Sequence, residues 1–184
     1  MEKISVHDPC AVLLCSAMPV MAVESELGTQ ENPVADFADL KTLLANAAGS
    51  KEDPAEIYVS GMLESTESLK INDGQHIKLI GVGAGEDGLK RTSAFTTEGN
   101  GGSKPGDMID VGNNNGDNVA SLVLENIVLD GGAVWSNGEN TGLAPGDSGL
   151  MSVRKSASAV LGESTILRNN EKGGGGAAIW LQGI

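Results

Sequence analysis

Cysteine, histidine and aromatic residues are nearly absent from this 184-residue chain, and each shortage removes a class of function. The only cysteines, Cys10 and Cys15, lie close together near the N-terminus, so no disulfide framework can staple the rest. The only histidines are His7 and His76. One imidazole beyond the N-terminal segment, with no cysteine beside it, is too little for a zinc site. A Ser-His-Asp triad would have to use His76, and no G-x-S-x-G elbow is present. Aromatics make up 3% of the chain, so a core must be built from Ile, Leu, Val and Ala. Small aliphatic side chains suit thin stacked layers better than one thick sandwich core. Basic residues are also scarce: 12 Lys+Arg stand against 25 Asp+Glu, for a formal charge of -13. An acidic chain without a basic run is a poor partner for nucleic acid. No apolar run reaches the length of a membrane-spanning helix, so no membrane insertion of the mature domain is expected.

What is present is a recurring pair of short apolar runs. Residues 120–132 read ASLVLENIVLDGG, in which Leu122 and Leu124, then Ile127 and Leu129, keep period-2 spacing on either side of a polar corner. The same design appears upstream with Leu69, Ile71, Ile77 and Leu79, and downstream with Ala159, Leu161, Thr165 and Leu167. Strand, corner, strand, turn, repeated at long intervals, predicts a β-solenoid. Ile109 and Val111, Met151 and Val153, and Ile179 and Leu181 occupy equivalent places before or after these corners. Leu124, Ile127, Leu129, Leu161, Leu167 and Ile179 are all expected to face the interior. Two long stretches, 81–106 and 133–149, read as surface loops.

One helix is predicted, over residues 34–48. Phe37, Leu40, Leu44 and Ala47 fall on one stripe, Asn32-Pro33 can start it and Gly49 can end it. Its expected place is a cap over the first coil. Residues 23–33 read as a flexible leader, and residues 34–184 as the capped domain, cut short after a strand at Ile184. Within residues 1–22 the run AVLLCSAMPVMA resembles a secretory signal, with Ala22 as the cleavage position. Cys15 could be read as a lipid-attachment site, but Leu14 is larger than the residue usual before one. Removal of this segment would leave a mature chain without cysteine, secreted or at the cell surface.

The helix ADFADLKTLLANA, then IYVSGMLESTESLKI, IKLIGVG, LVLENIVLDGG and NNEKGGGGAAIWLQG, together resemble a known architecture. They are similar to the right-handed parallel β-helix of pectate-lyase-like proteins, and more closely to the β-helical repeats of secreted or wall-attached surface proteins of Gram-positive gut bacteria. The resemblance covers residues 36–184 and implies a fold and a location. It implies no reaction, because this architecture hosts lyases, hydrolases, esterases and passive adhesins.

Candidate chemistry is sparse. Residues 83–88 fit G-x-G-x-x-G, but no helical stripe follows to meet a pyrophosphate. Gly83, Gly85, Asp87 and Leu89 nearly fit a calcium nonapeptide, which works only in tandem copies, and one is present. Asp73, Asp107, Asp110, Asp117, Asp130 and Asp147 lie in turns. Carboxylates from neighbouring turns could meet to bind calcium or to act as acid and base, yet Asp is also a standard turn residue. The paired Asp-Asp and Gly-His-Gly signatures of polygalacturonases are absent, and no residue earns a catalytic role. Trp135 and Trp180 are the two tryptophans. Trp180 alternates with Ile179 and Leu181, so it is expected to point outward, where an indole can stack on a sugar ring. The expectation is therefore a non-enzymatic surface or adhesin-type module that could bind glycan or a host-surface ligand, with Trp180 and Trp135 as contacts. The alternative is a polysaccharide lyase or glycoside hydrolase with its site in missing coils or in the acidic loops. No cofactor other than calcium has any support in the sequence.

Overall fold

The computed structural model describes residues 26–83, 85–96, 106–112, 119–142, 149–171 and 178–182. The signal-like segment, Asp117 and Asp147 lie outside the described residues. Among the described residues one helix, α1 (Phe37–Asn46), precedes fourteen strands. These are β1 (Ala55–Val59), β2 (Met62–Glu67), β3 (Leu69–Ile71), β4 (His76–Gly81), β5 (Gly88–Thr96), β6 (Ile109–Val111) and β7 (Ser121–Glu125). They continue with β8 (Val128–Asp130), β9 (Trp135–Ser136), β10 (Glu139–Asn140), β11 (Met151–Val153), β12 (Ser158–Leu161), β13 (Ile166–Arg168) and β14 (Ile179–Leu181).

Strands that follow each other in sequence do not pair, apart from the β9–β10 hairpin. The orders are β1-β4-β7-β12, β2-β5-β8-β13 and β3-β6-β11-β14, each a parallel sheet of four. Parallel neighbours need a long crossover, and here the crossover from one strand to its neighbour runs through the other two sheets. Register puts like side chains in columns: Ile57–Leu79–Leu124–Leu161 in the first sheet and Leu63–Leu89–Leu129–Leu167 in the second. In the third sheet the columns are Leu69–Ile109–Met151–Ile179 and Ile71–Val111–Val153–Leu181. One core joins the buried members of these columns to Val34, Phe37, Leu40 and Leu44.

Two sequence expectations need correction here. The single right-handed parallel β-helix is replaced by three separate four-stranded parallel sheets, because each hydrogen-bond ladder closes within its own four strands. Polar corners break the ladder between sheets; at one of them Asn126 takes a left-handed backbone, with φ 55°. Nor is the helix an N-terminal cap. Residues ahead of it line the edge of β1, where the Tyr58 N–H donates to the Gly28 carbonyl and the Val34 N–H to the Tyr58 carbonyl. The helix itself packs against β2 and β3. It starts at Phe37 rather than residue 34, because the Asp36 carboxylate accepts from the Ala38 N–H at 2.7 Å and the Asp39 N–H at 3.3 Å. Its C-terminal carbonyls, at Leu44 and Ala47, accept from the Gln75 side-chain amide at 2.8 and 2.6 Å.

Burial corrects the interior assignment as well. Leu124, Ile127 and Leu129 are at most 1% exposed, but Leu161 is 42% exposed, and Leu167 and Ile179 are only partly covered. Those three occupy β12, β13 and β14, the end strands of the sheets, so no following layer covers their columns among the described residues. The first supposed loop also contains β5, paired to both β2 and β8. The second contains the antiparallel β9–β10 pair, turned by Asn137 and Gly138 at φ 53° and 83°.

Candidate functional site

Each sheet turns one face to the core and one outward, and the outward faces differ. In the second sheet Glu64, Lys90, Asp130 and Arg168 are in register, a row of alternating charge. On the first sheet Lys78 lies 3.3 Å from Glu56 and 3.0 Å from Glu125. Its hydrogen bond to Glu125 leads the interactions that raise the ammonium above the usual lysine value. Two faces are thus occupied by internal ion pairs.

The face of β3, β6, β11 and β14 also carries an ion pair, but here an aromatic side chain lies against it. Lys70, Asp110, Ser152 and Trp180 share one register row. Arg154, just past β11, places Nη2 3.2 Å from Asp110 Oδ1 and its guanidinium carbon 5.1 Å from the centre of the Trp180 ring. The Ser152 hydroxyl also donates to the Asp110 carboxylate. Asp110 therefore fixes Arg154, and Arg154 fixes the indole by a cation–π contact. Trp180 remains 38% exposed. A positioned, exposed indole beside a carboxylate and a guanidinium offers an apolar plate together with acceptors and donors for hydroxyl groups.

The other expected site residues scatter. Trp135 sits in β9, on the hairpin and outside the Trp180 sheet, so the structure does not bring the two tryptophans onto one sheet. Asp87 is 5% exposed and accepts from the Gly61 N–H at 2.6 Å and from the Gly83 N–H, so it braces the glycine turn. Strand β5, not a helix, follows that turn, which leaves the G-x-G-x-x-G string without the helix N-terminus a dinucleotide needs. Asp107 accepts from the Gly149 N–H. Among the described residues no group of three or more His, Cys, Asp or Glu could hold a metal ion.

Asp130 shows the turn role most fully. It is 4% exposed and accepts from the Gly132 N–H, Arg168 Nε and Asn169 Nδ2, each at 2.9 Å. Burial pushes its carboxyl up, but these hydrogen bonds together outweigh it and hold the group below the ordinary 3.8. A depressed folded pKa gives stability that is present above the unfolded value and lost as pH falls through the folded one. Asp130→Asn should therefore cost about 1–2 kcal/mol at pH 7. Urea titrations of both proteins should show that difference shrinking as the pH drops below about 4.

Sequence reasoning missed the contacts of three side chains. His76 Nδ1 lies 2.8 Å from Ser121 Oγ, across the β4–β7 pair. The contact is a side-chain bond between neighbouring strands of the first sheet. Gln75 and Arg91 are buried polar groups whose partners are distant in sequence. Arg91 is 1% exposed, donates to Asn170 Oδ1 at 2.8 Å and to the Gly149 carbonyl at 2.7 Å, and lies over Phe95. The one available signal was an arginine at a position where the β2–β5–β8 pattern calls for an inward residue.

No family model, curated protein or solved structure matches the chain. The functional reading therefore rests on the residues and geometry above.

Proposed function

We propose that this chain is a non-enzymatic, extracellular surface module that binds carbohydrate on the outer face of β3, β6, β11 and β14. The observation that carries the reading is the Asp110–Arg154–Trp180 chain of contacts, which holds a partly exposed indole in one orientation. A sugar ring presents apolar C–H faces to such a plate, while its hydroxyls reach Asp110, Arg154 or Lys70. Preorganisation matters because an indole already held in place loses little freedom on binding. The extracellular assignment is supported by the signal-like run at residues 11–22. The carboxylates Asp107, Asp110 and Asp130 all accept protein hydrogen bonds, which favours binding over acid–base turnover.

Calorimetric titration against a panel of neutral and uronate polysaccharides tests this reading. Binding to at least one class is expected. Trp180→Ala should weaken it roughly ten-fold, the equivalent of about 1.4 kcal/mol, while leaving the melting temperature in place. Trp135→Ala reports whether the hairpin adds a second contact. Full affinity in Trp180→Ala, or cleavage of the bound polymer, would overturn the proposal.

A further inference from the structure

Resting on the carbohydrate reading above, we infer that the sugar chain bound at Trp180 is a neutral glycan bearing one acidic unit, and that Lys70 reads the acid in a cleft between α1 and β3.

The row that carries Trp180 runs the width of its sheet. Lys70, Asp110, Ser152 and Trp180 are register neighbours on β3, β6, β11 and β14. Parallel strands lie about 4.8 Å apart, so the two ends of the row are about 14 Å apart. No single sugar ring spans that distance, and a ligand that meets both ends is an oligosaccharide laid across the strands. The middle of the row is the least open part. Ser152 is fully buried, and Asp110 is held by Ser152 and Arg154. Lys70 and Trp180, at the ends, are both exposed.

At the Lys70 end the face meets a cleft of about 270 Å³. Lys41, Leu44 and Ala45 come to it from α1, and Glu67, Lys70 and Asn72 from β2, β3 and the turn that follows. Its volume is just under the roughly 300 Å³ at which sites for whole small ligands begin, which suits one unit at the end of a longer chain.

Charge selects the unit. Lys41 Nζ lies 2.6 Å from Glu67 Oε1, so that pair is neutral. Among the described residues no carboxylate pairs with Lys70, and its register neighbour Asp110 is taken up by Arg154. The cleft therefore holds one uncompensated positive charge in a chain whose total is -13. A carboxylate on a ring in the cleft accepts a charge-assisted hydrogen bond from the Lys70 ammonium. A glycan acidic at every ring would instead bring its whole charge against an acidic protein, which disfavours approach. One free cation at one end and an indole at the other match a chain with one acidic unit and neutral rings beyond it.

An array of neutral, singly acidic and uniformly acidic oligosaccharides of graded length, probed with the full chain, tests the proposal. Singly acidic members should be retained most strongly, and members too short to span the row should be lost. The best-retained member is then compared by calorimetry with the same oligosaccharide reduced at its carboxyl group to the alcohol. The acidic form should bind about ten-fold tighter at low salt. Lys70→Ala should abolish that difference, Lys70→Arg should keep most of it, and Trp180→Ala should weaken both forms. Neutral oligosaccharides that bind through Trp180 with no gain from the acid would overturn the inference and leave the carbohydrate reading standing. So would a gain that survives Lys70→Ala, or a preference for the uniformly acidic members. An array on which nothing is retained would overturn both.

Discussion

Leu124→Ala should lower the unfolding free energy by about 2–5 kcal/mol, the cost of removing a buried leucine and leaving a cavity. Leu124 is fully buried and sits in the middle of the Ile57–Leu79–Leu124–Leu161 column. Strands β4 and β12 pin it on both sides, so the site cannot collapse without breaking two ladders. Val123 is the control: it precedes Leu124 in β7, points to the other face and is only half-buried. Val123→Ala should cost less than about 1 kcal/mol, as surface changes do. Urea titration of both variants checks the register. A Leu124→Ala midpoint equal to that of the unaltered protein, or a larger loss in Val123→Ala, would mean that β7 presents the opposite face to the core.

Arg91→Ala is the second large effect, expected at about 3 kcal/mol or more. Arg91 points into the space between β5 and the segments that carry Gly149 and Asn170, and its hydrogen bonds tie three distant parts of the chain together. Burial pushes its guanidinium down to about 10, while Asp107 acts in the opposite direction, so it is still a cation at neutral pH. Removing it empties a large volume and takes one donor away from the Gly149 carbonyl and one from Asn170 Oδ1. Arg91→Met restores most of the volume without the donors, so it should recover part of the loss. Thermal and urea unfolding of the pair separate the two contributions. If Arg91→Ala unfolds like the unaltered protein, the buried cation does not hold these segments.

The sequence made some of this legible and hid the rest for physical reasons. Ile109/Val111, Met151/Val153 and Ile179/Leu181 could be recognised as equivalent strands because period-2 spacing survives in three-residue strands, and they share one sheet. The division into three sheets was not legible, since spacing along the chain does not say where a ladder closes. Strand β5 was hidden because its inward positions include Arg91, a residue that reads as surface until its partners at 149 and 170 are known. Leu161, Leu167 and Ile179 were assigned to the interior from pattern alone, which cannot show that β12, β13 and β14 are the end strands of their sheets among the described residues. The outward position of Trp180 followed from alternation. Its ties to Arg154 and Asp110 depend on cross-strand register and needed coordinates.

The most direct test of the carbohydrate-binding assignment uses Trp180 as its own reporter. In a Trp135→Phe background Trp180 is the single tryptophan. Its emission should then change saturably on titration with the polysaccharide that binds the unaltered protein, and the change should disappear in Arg154→Ala, which frees the indole. Emission that stays constant at ligand concentrations that saturate binding would show that the sugar does not touch Trp180, and would contradict the account.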